Sequence, residues 1–183
     1  EPMHARTARD SDGTWTTVPE GQTQHGAVIA QATIHPHPFK EWVFVTALAF
    51  DRRHVSLQLV AGTDEPSSDV VPKERRPGLV PEEAQPRLLS VFNGGFKLRH
   101  GNYGMRVGGD TFSKPIEDAC AVGLDDRGRV RVGPWKELGQ AEAQLNWFRQ
   151  TPPCLVVDGK VNPRLDAEHR TRHWGAAVGG VYD

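Results

Sequence analysis

The chain has 183 residues, 37% hydrophobic and 25% charged, with a mean hydropathy of -0.53 and a net charge of -1 from 22 basic and 23 acidic residues. That length can bury a core without staples, and the charge balance excludes a strong nucleic-acid or membrane-surface field. No run approaches the roughly eighteen apolar residues that a membrane-spanning helix requires.

Residues 1–24 are polar and lack periodicity, so they are expected to form an N-terminal arm, with a turn at Ser11-Asp12-Gly13 and one edge strand around Trp15. The start at Glu1, with no apolar leader before it, reads as a removed leader or a trimmed terminus. One domain is expected over 25–183. Residues 26–34 (GAVIAQATI) predict its first strand, and 42–50 (WVFVTALAF), apolar and rich in β-branched and aromatic residues, predict a buried one. After a polar turn at Asp51-Arg52-Arg53, residues 54–60 alternate Val55, Leu57 and Leu59 with Ser56 and Gln58, the period of a strand with one wet face.

Residues 61–80 read as a long surface loop, and 81–87 as a short helix with Glu82 and Glu83 at the positive end of its dipole. A strand over 88–92 is stopped by Asn93-Gly94-Gly95, and strands over 120–124 and 129–132 flank the turn Asp125-Asp126-Arg127-Gly128. Residues 140–149 (QAEAQLNWFR) predict the best helix, ended by Thr151-Pro152-Pro153. A strand over 154–157 turns at Asp158-Gly159, and residues 174–182 are Gly-rich and apolar. The end at Val181-Tyr182-Asp183, directly after an apparent strand, reads as a chain that continues. The fold class expected is α+β, a twisted, mainly antiparallel or mixed sheet core with one or two short helices. Cys120 and Cys154 fit one disulfide or two buried thiols.

The chemistry concentrates at Asn93-Gly94-Gly95-Phe96. Glycine permits positive φ and lets a ligand approach bare N–H groups, while Asn93 offers an amide donor and acceptor. The same Asn-Gly pair also signals a tight hairpin. Lys97, Arg99, His100 and Arg106 crowd the next ten residues among Gly101, Tyr103, Gly104, Gly108 and Gly109, with Asp110 and Glu117 nearby. Cations interleaved with glycines suit phosphate recognition, and an ordinary solvated hairpin has the same composition. His35-Pro36-His37-Pro38 places two imidazoles on one side of an extended segment, without further ligands at a zinc spacing. His169 and His173 stand four apart without the His-Glu-x-x-His motif, and there is no nucleophile elbow, P-loop or dinucleotide fingerprint. Trp135, Trp147 and Trp174 read as core or rim.

Residues 89–109 (LSVFNGGFKLRHGNYGMRVGG) resemble the central motif of the phosphodiester glycosidase family, in its bacterial type. Asn93, Gly94, Gly95 and Phe96 match, and Lys97 stands where the family carries a second Phe. Residues 153–160 (PCLVVDGK) are similar to the family's Pro-x-Leu-Val-x-Asp-Gly-Lys strand and turn, and 172–179 (RHWGAAVG) loosely echo its Arg-Ser/Thr-Ala-x-Gly strand. The family's later Asp-Gly-Gly strand end has no counterpart here, so the resemblance spans about 85–180.

The resemblance implies a periplasmic or extracellular hydrolase that cleaves a sugar-1-phosphodiester to free sugar and phosphomonoester, on an envelope or extracellular polysaccharide. The alternative is a non-catalytic carbohydrate-binding or envelope protein on the same scaffold. Asn93, Asp110 and Asp158 are the expected catalytic residues, with Asn93 orienting substrate and a carboxylate acting at the anomeric carbon. Gly94, Gly95, Phe96, Lys97, Arg99, His100, Arg106 and Gly109 are the expected substrate contacts. The expected partners are a sugar phosphate or polysaccharide and a C-terminal segment of the same protein, with no cofactor, metal, nucleic acid or membrane span.

Overall fold

The computed structural model describes residues 6–163, and the chain divides into two compact units, Glu1–Ser56 and Leu57–Asp183. The architecture is α+β: antiparallel sheets joined by short helical turns. Among the described residues no helix is long and apolar enough to cross a membrane.

The first unit is a three-stranded sheet of β1 (Thr16–Thr17), β4 (Ile29–Ile34) and β5 (Val45–Phe50), ordered β1-β4-β5. A small ribbon of two-residue strands, β2 (Gln22–Thr23) with β3 (Gly26–Ala27), lies between β1 and β4 in the chain. The expected arm thus contributes β1, through Thr16 opposite Gln31. The turn at Ser11-Asp12-Gly13 forms, its Gly13 N–H reaching Thr33 O at 2.9 Å. The strand expected over 26–34 is broken at Val28, whose side chain is buried.

The segment 42–50 departs from expectation. Its strand begins at Val45 rather than Trp42, and it is an edge with Trp42, Phe44, Val45 and Leu48 all exposed. Apolar content alone could not distinguish a buried strand from an edge that lacks a neighbour. No strand forms over 54–60; Val55, Leu57 and Leu59 are half-buried while Ser56 and Gln58 are exposed, so the period-two burial is real without a ladder. Leu59 packs on the apolar cluster of the second unit, which supplies the burial that the pattern encodes.

The second unit is built on a five-stranded antiparallel sheet. Its strands are β6 (Met105–Val107), β7 (Asp110–Ser113), β8 (Cys120–Asp125), β9 (Val130–Pro134) and β10 (Leu145–Thr151), in the order β7-β6-β10-β8-β9. Residues 140–149 therefore do not form the expected helix. A one-turn α-helix, α1 (Trp135–Leu138), and a 3-10 turn (Gly139–Gln144) run into the central strand instead. Pairing on both sides, to β6 and to β8, outweighs the helical propensity of Gln-Ala-Glu-Ala-Gln.

Successive side chains of β10 serve opposite faces. Phe148, fully buried, packs with Ala121, Leu145 and Trp135, its ring centroid 4.4 Å from that of Trp135. Arg149 lies opposite Met105, which belongs to the other cluster with Ala61, Val71 and Phe112. Each large side chain so buried stabilises the unit by about 2 kcal/mol. Gln150, also fully buried, accepts from the Gly104 and Ile116 N–H groups at 3.0 and 2.7 Å and donates to Ile116 O at 2.9 Å.

The hairpin expected around 125–128 forms between β8 and β9. Burial works to raise the Asp125 carboxyl, but N–H bonds from Arg129 and Arg127 and the Arg129 guanidinium outweigh it, leaving it below the usual carboxylate range. Cys120 and Cys154 are joined as a disulfide. Beyond it β11 (Val156–Val157) and β12 (Lys160–Val161) make a small ribbon around Asp158-Gly159. The helix expected over 81–87 is a 3-10 turn at Glu82–Arg87. Residues 88–92 make no strand pair among the described residues, and Leu88, Val91 and Phe92 are exposed. Trp174, His169, His173 and the 172–179 echo lie outside the described residues.

Candidate functional site

The Asn93-Gly94-Gly95 loop lies on the face of β10 that carries Arg149. Asn93 is exposed and turns back on the loop, donating from Nδ2 to Gly95 O at 2.9 Å. Gly95 has φ 138°, a conformation that side chains rarely adopt, and a Cβ there would stand 3.0 Å from Arg149 Nε. The glycine therefore lets the loop backbone pack directly against the guanidinium. The N–H groups of Gly94 and Gly95 donate to no acceptor among the described residues.

Arg149 is the candidate site residue that sequence reasoning missed. Only 4% exposed, it donates from Nη1 to Tyr103 O at 2.7 Å and Gly104 O at 3.2 Å, and from Nη2 to Phe96 O. Among the described residues no carboxylate forms an ion pair with it; burial lowers its pKa, opposed by the charge of Glu65. A guanidinium has five N–H donors, and the three bonds leave Nε–H and one Nη2–H without an acceptor among the described residues.

Arg76, the other buried arginine among the described residues, is different. It donates to the carbonyls of Val71 (from both Nε and Nη2), Thr63, Pro66 and Ser68, which commits every donor to holding the 61–80 loop. Arg76 is structural; Arg149 retains capacity.

Around the loop stand further groups. Phe96 packs edge-on to His100 and tilted against Tyr103, at centroid distances of 6.4 and 6.0 Å. Burial pushes the Tyr103 phenol above its ordinary pKa, so it stays protonated. Arg99 Nε lies 3.2 Å from His100 Nε2, and Lys97 is exposed at the start of the 3-10 turn Leu98–His100. Glu65, on the 61–80 loop, accepts from the Leu98 N–H at 3.1 Å through Oε2. It is the carboxylate tied to this loop, and no local motif marks it.

Four expected site residues lie elsewhere. Arg106, one position along from Met105, faces the opposite side of the sheet, where it spans Glu142 and Leu145 O and lies over Phe148 at 5.5 Å. Asp110 begins β7 and pairs with Arg75, while Gly109 sits in the β6–β7 turn at the far end of that hairpin from Gly104. Asp158 occupies the β11–β12 turn with φ 51°, and no hydrogen bond or ion pair joins it to the Asn93 loop. Among the described residues no group of three His, Cys, Asp or Glu side chains could hold a metal ion, the His35 to Pro38 segment included. No family model matches the chain, and no curated protein or solved structure is significantly similar to it.

Proposed function

We propose that the glycine loop binds the phosphate of a sugar-1-phosphodiester, and that the chain is a hydrolase that cleaves the bond between the anomeric carbon and that phosphate. The observation that carries this reading is Arg149: a buried guanidinium that forms no ion pair with a carboxylate among the described residues, with two N–H groups that meet no acceptor among them, packed against the backbone of the glycine loop. Its charge and the Gly94 and Gly95 N–H groups suit a departing phosphomonoester dianion. Lys97 and Arg99 add positive charge at the rim.

In the reaction the C1–O bond breaks with its electron pair passing to the phosphate oxygen, and a water oxygen bonds to C1. Glu65 is the base that takes the water's proton, since Oε1 has no hydrogen-bond partner among the described residues while Oε2 accepts from Leu98. Asn93 holds the loop shape and orients the sugar. The resemblance of 89–109 to the phosphodiester glycosidase motif supports the same substrate class. The Cys120–Cys154 disulfide supports a periplasmic or extracellular setting.

One observation favours the second reading, a saccharide-binding protein without turnover: Asp110 is engaged by Arg75 and Asp158 is remote in the hydrogen-bond network, so Glu65 alone must serve as the carboxylate. Incubation with UDP-N-acetylglucosamine and with methyl N-acetylglucosamine-1-phosphate, followed by a reducing-sugar assay, separates the two. Turnover that Asn93→Ala and Glu65→Gln each lower by about a hundredfold is expected. Saturable binding with no sugar released would establish the second reading instead.

A further inference from the structure

The first unit holds a recess of about 330 Å³ lined by Arg9, Thr33, His35, Glu41, Trp42 and Phe44. His35 forms part of its wall, its side chain only 6% exposed. The ring is fixed from one side: Asp12 Oδ1 lies 2.7 Å from Nδ1, and Asp12 Oδ2 accepts the His35 backbone N–H at 3.0 Å. Burial works to raise the Asp12 carboxyl, but these bonds to His35 outweigh it and hold it below the usual carboxylate range. An ionised carboxylate only accepts, so Nδ1 carries the proton. The other nitrogen, Nε2, has no partner among the described residues.

The rest of the lining narrows what fits. Trp42 and Phe44 are 68% and 58% exposed, and the Phe44 ring stands 6.3 Å from the His35 ring. An apolar ligand would cover these faces but strand Nε2, Arg9 and Glu41 away from water. A small ion would use the charges and leave the aromatic faces bare. One cation and one anion on the same rim give no preference for net charge. A ring with apolar C–H faces and a hydroxyl edge satisfies all of them at once, stacking on the indole while its hydroxyls donate to Nε2 and Glu41 and accept from Arg9.

We propose that this recess is a binding site for a neutral pyranose unit of a polysaccharide, with Trp42 as the stacking platform and the Asp12-braced His35 as the hydroxyl acceptor. The site is separate in sequence from the glycine loop, and it requires no chemistry there.

The test is calorimetric titration of the full chain with cellohexaose, maltohexaose and hexa-N-acetylchitohexaose, with saturation-transfer NMR on the same samples. Saturable binding of at least one is expected, weakened at least about tenfold by Trp42→Ala and by His35→Gln. Should His35→Gln fail to fold, Trp42→Ala decides, because an exposed rim side chain can be removed without touching the core. No binding of any of the three at about 10 mM, or binding unchanged in Trp42→Ala, overturns the proposal. A hexagalacturonate that binds about tenfold more tightly than every neutral oligosaccharide overturns its neutral class.

Discussion

Replacing Arg149 with Met removes the three bonds to Phe96, Tyr103 and Gly104 carbonyls while keeping most of the side-chain length. Gly104 O keeps the Gln150 N–H at 2.8 Å, so the Phe96 and Tyr103 carbonyls are the two left unpaired, each at a cost of about 1–3 kcal/mol. The variant no longer buries a charge, which offsets part of that loss. A net destabilisation of about 3 kcal/mol is expected, which in a unit of this size lowers Tm by roughly 10 °C. Arg149→Lys keeps the charge but not the fork, so about half the loss is expected. Urea unfolding followed by far-UV circular dichroism measures the change.

A second reading of the same proteins tests the anion role. Glucose 1-phosphate at ten times its dissociation constant should stabilise the native chain by about 1.4 kcal/mol and the Met variant not at all. A Met variant within about 1 kcal/mol of the native chain would refute the structural reasoning. Undiminished stabilisation by glucose 1-phosphate in that variant would refute the assignment of the anion to Arg149.

Two further predictions concern the scaffold. The Asp125 carboxyl has a folded pKa below its unfolded value of about 3.9, so its contribution is complete above that pH and is lost as pH falls through the folded pKa. Asp125→Asn should therefore lower Tm by roughly 5 °C at pH 7, with the gap closing below about pH 4; a gap independent of pH would contradict the assignment. Cys120→Ser with Cys154→Ser opens a loop closed across 34 residues and should cost about 4 kcal/mol in a urea melt.

What the sequence reveals depends on whether the signal is local. The β8–β9 hairpin is legible because Asp125-Asp126-Arg127-Gly128 carries its own turn chemistry, and Asp125 caps that turn with N–H bonds at 3.0 and 2.9 Å. The strand β10 is not legible, because Asn146-Trp147-Phe148 follows a helix-like run and becomes a strand only through β6 and β8. The glycine loop is visible as Asn93-Gly94-Gly95, but its cation is not, since a buried arginine has no neighbours in sequence to announce it. Arg106 looks equally suitable in sequence; one residue of strand parity sends it to the other face.

The bond from Arg149 to Phe96 joins positions 53 apart in the chain. The arrangement proposed to bind an anion cannot exist before the last strand of the five-stranded sheet is threaded between its neighbours, so on that proposal competence to bind arrives only at the close of folding. A partly synthesised or nicked chain would carry the motif intact and yet be inert. Conversely, an occupant of the loop would slow exchange of amide hydrogens at the centre of the sheet, far along the chain from where it sits.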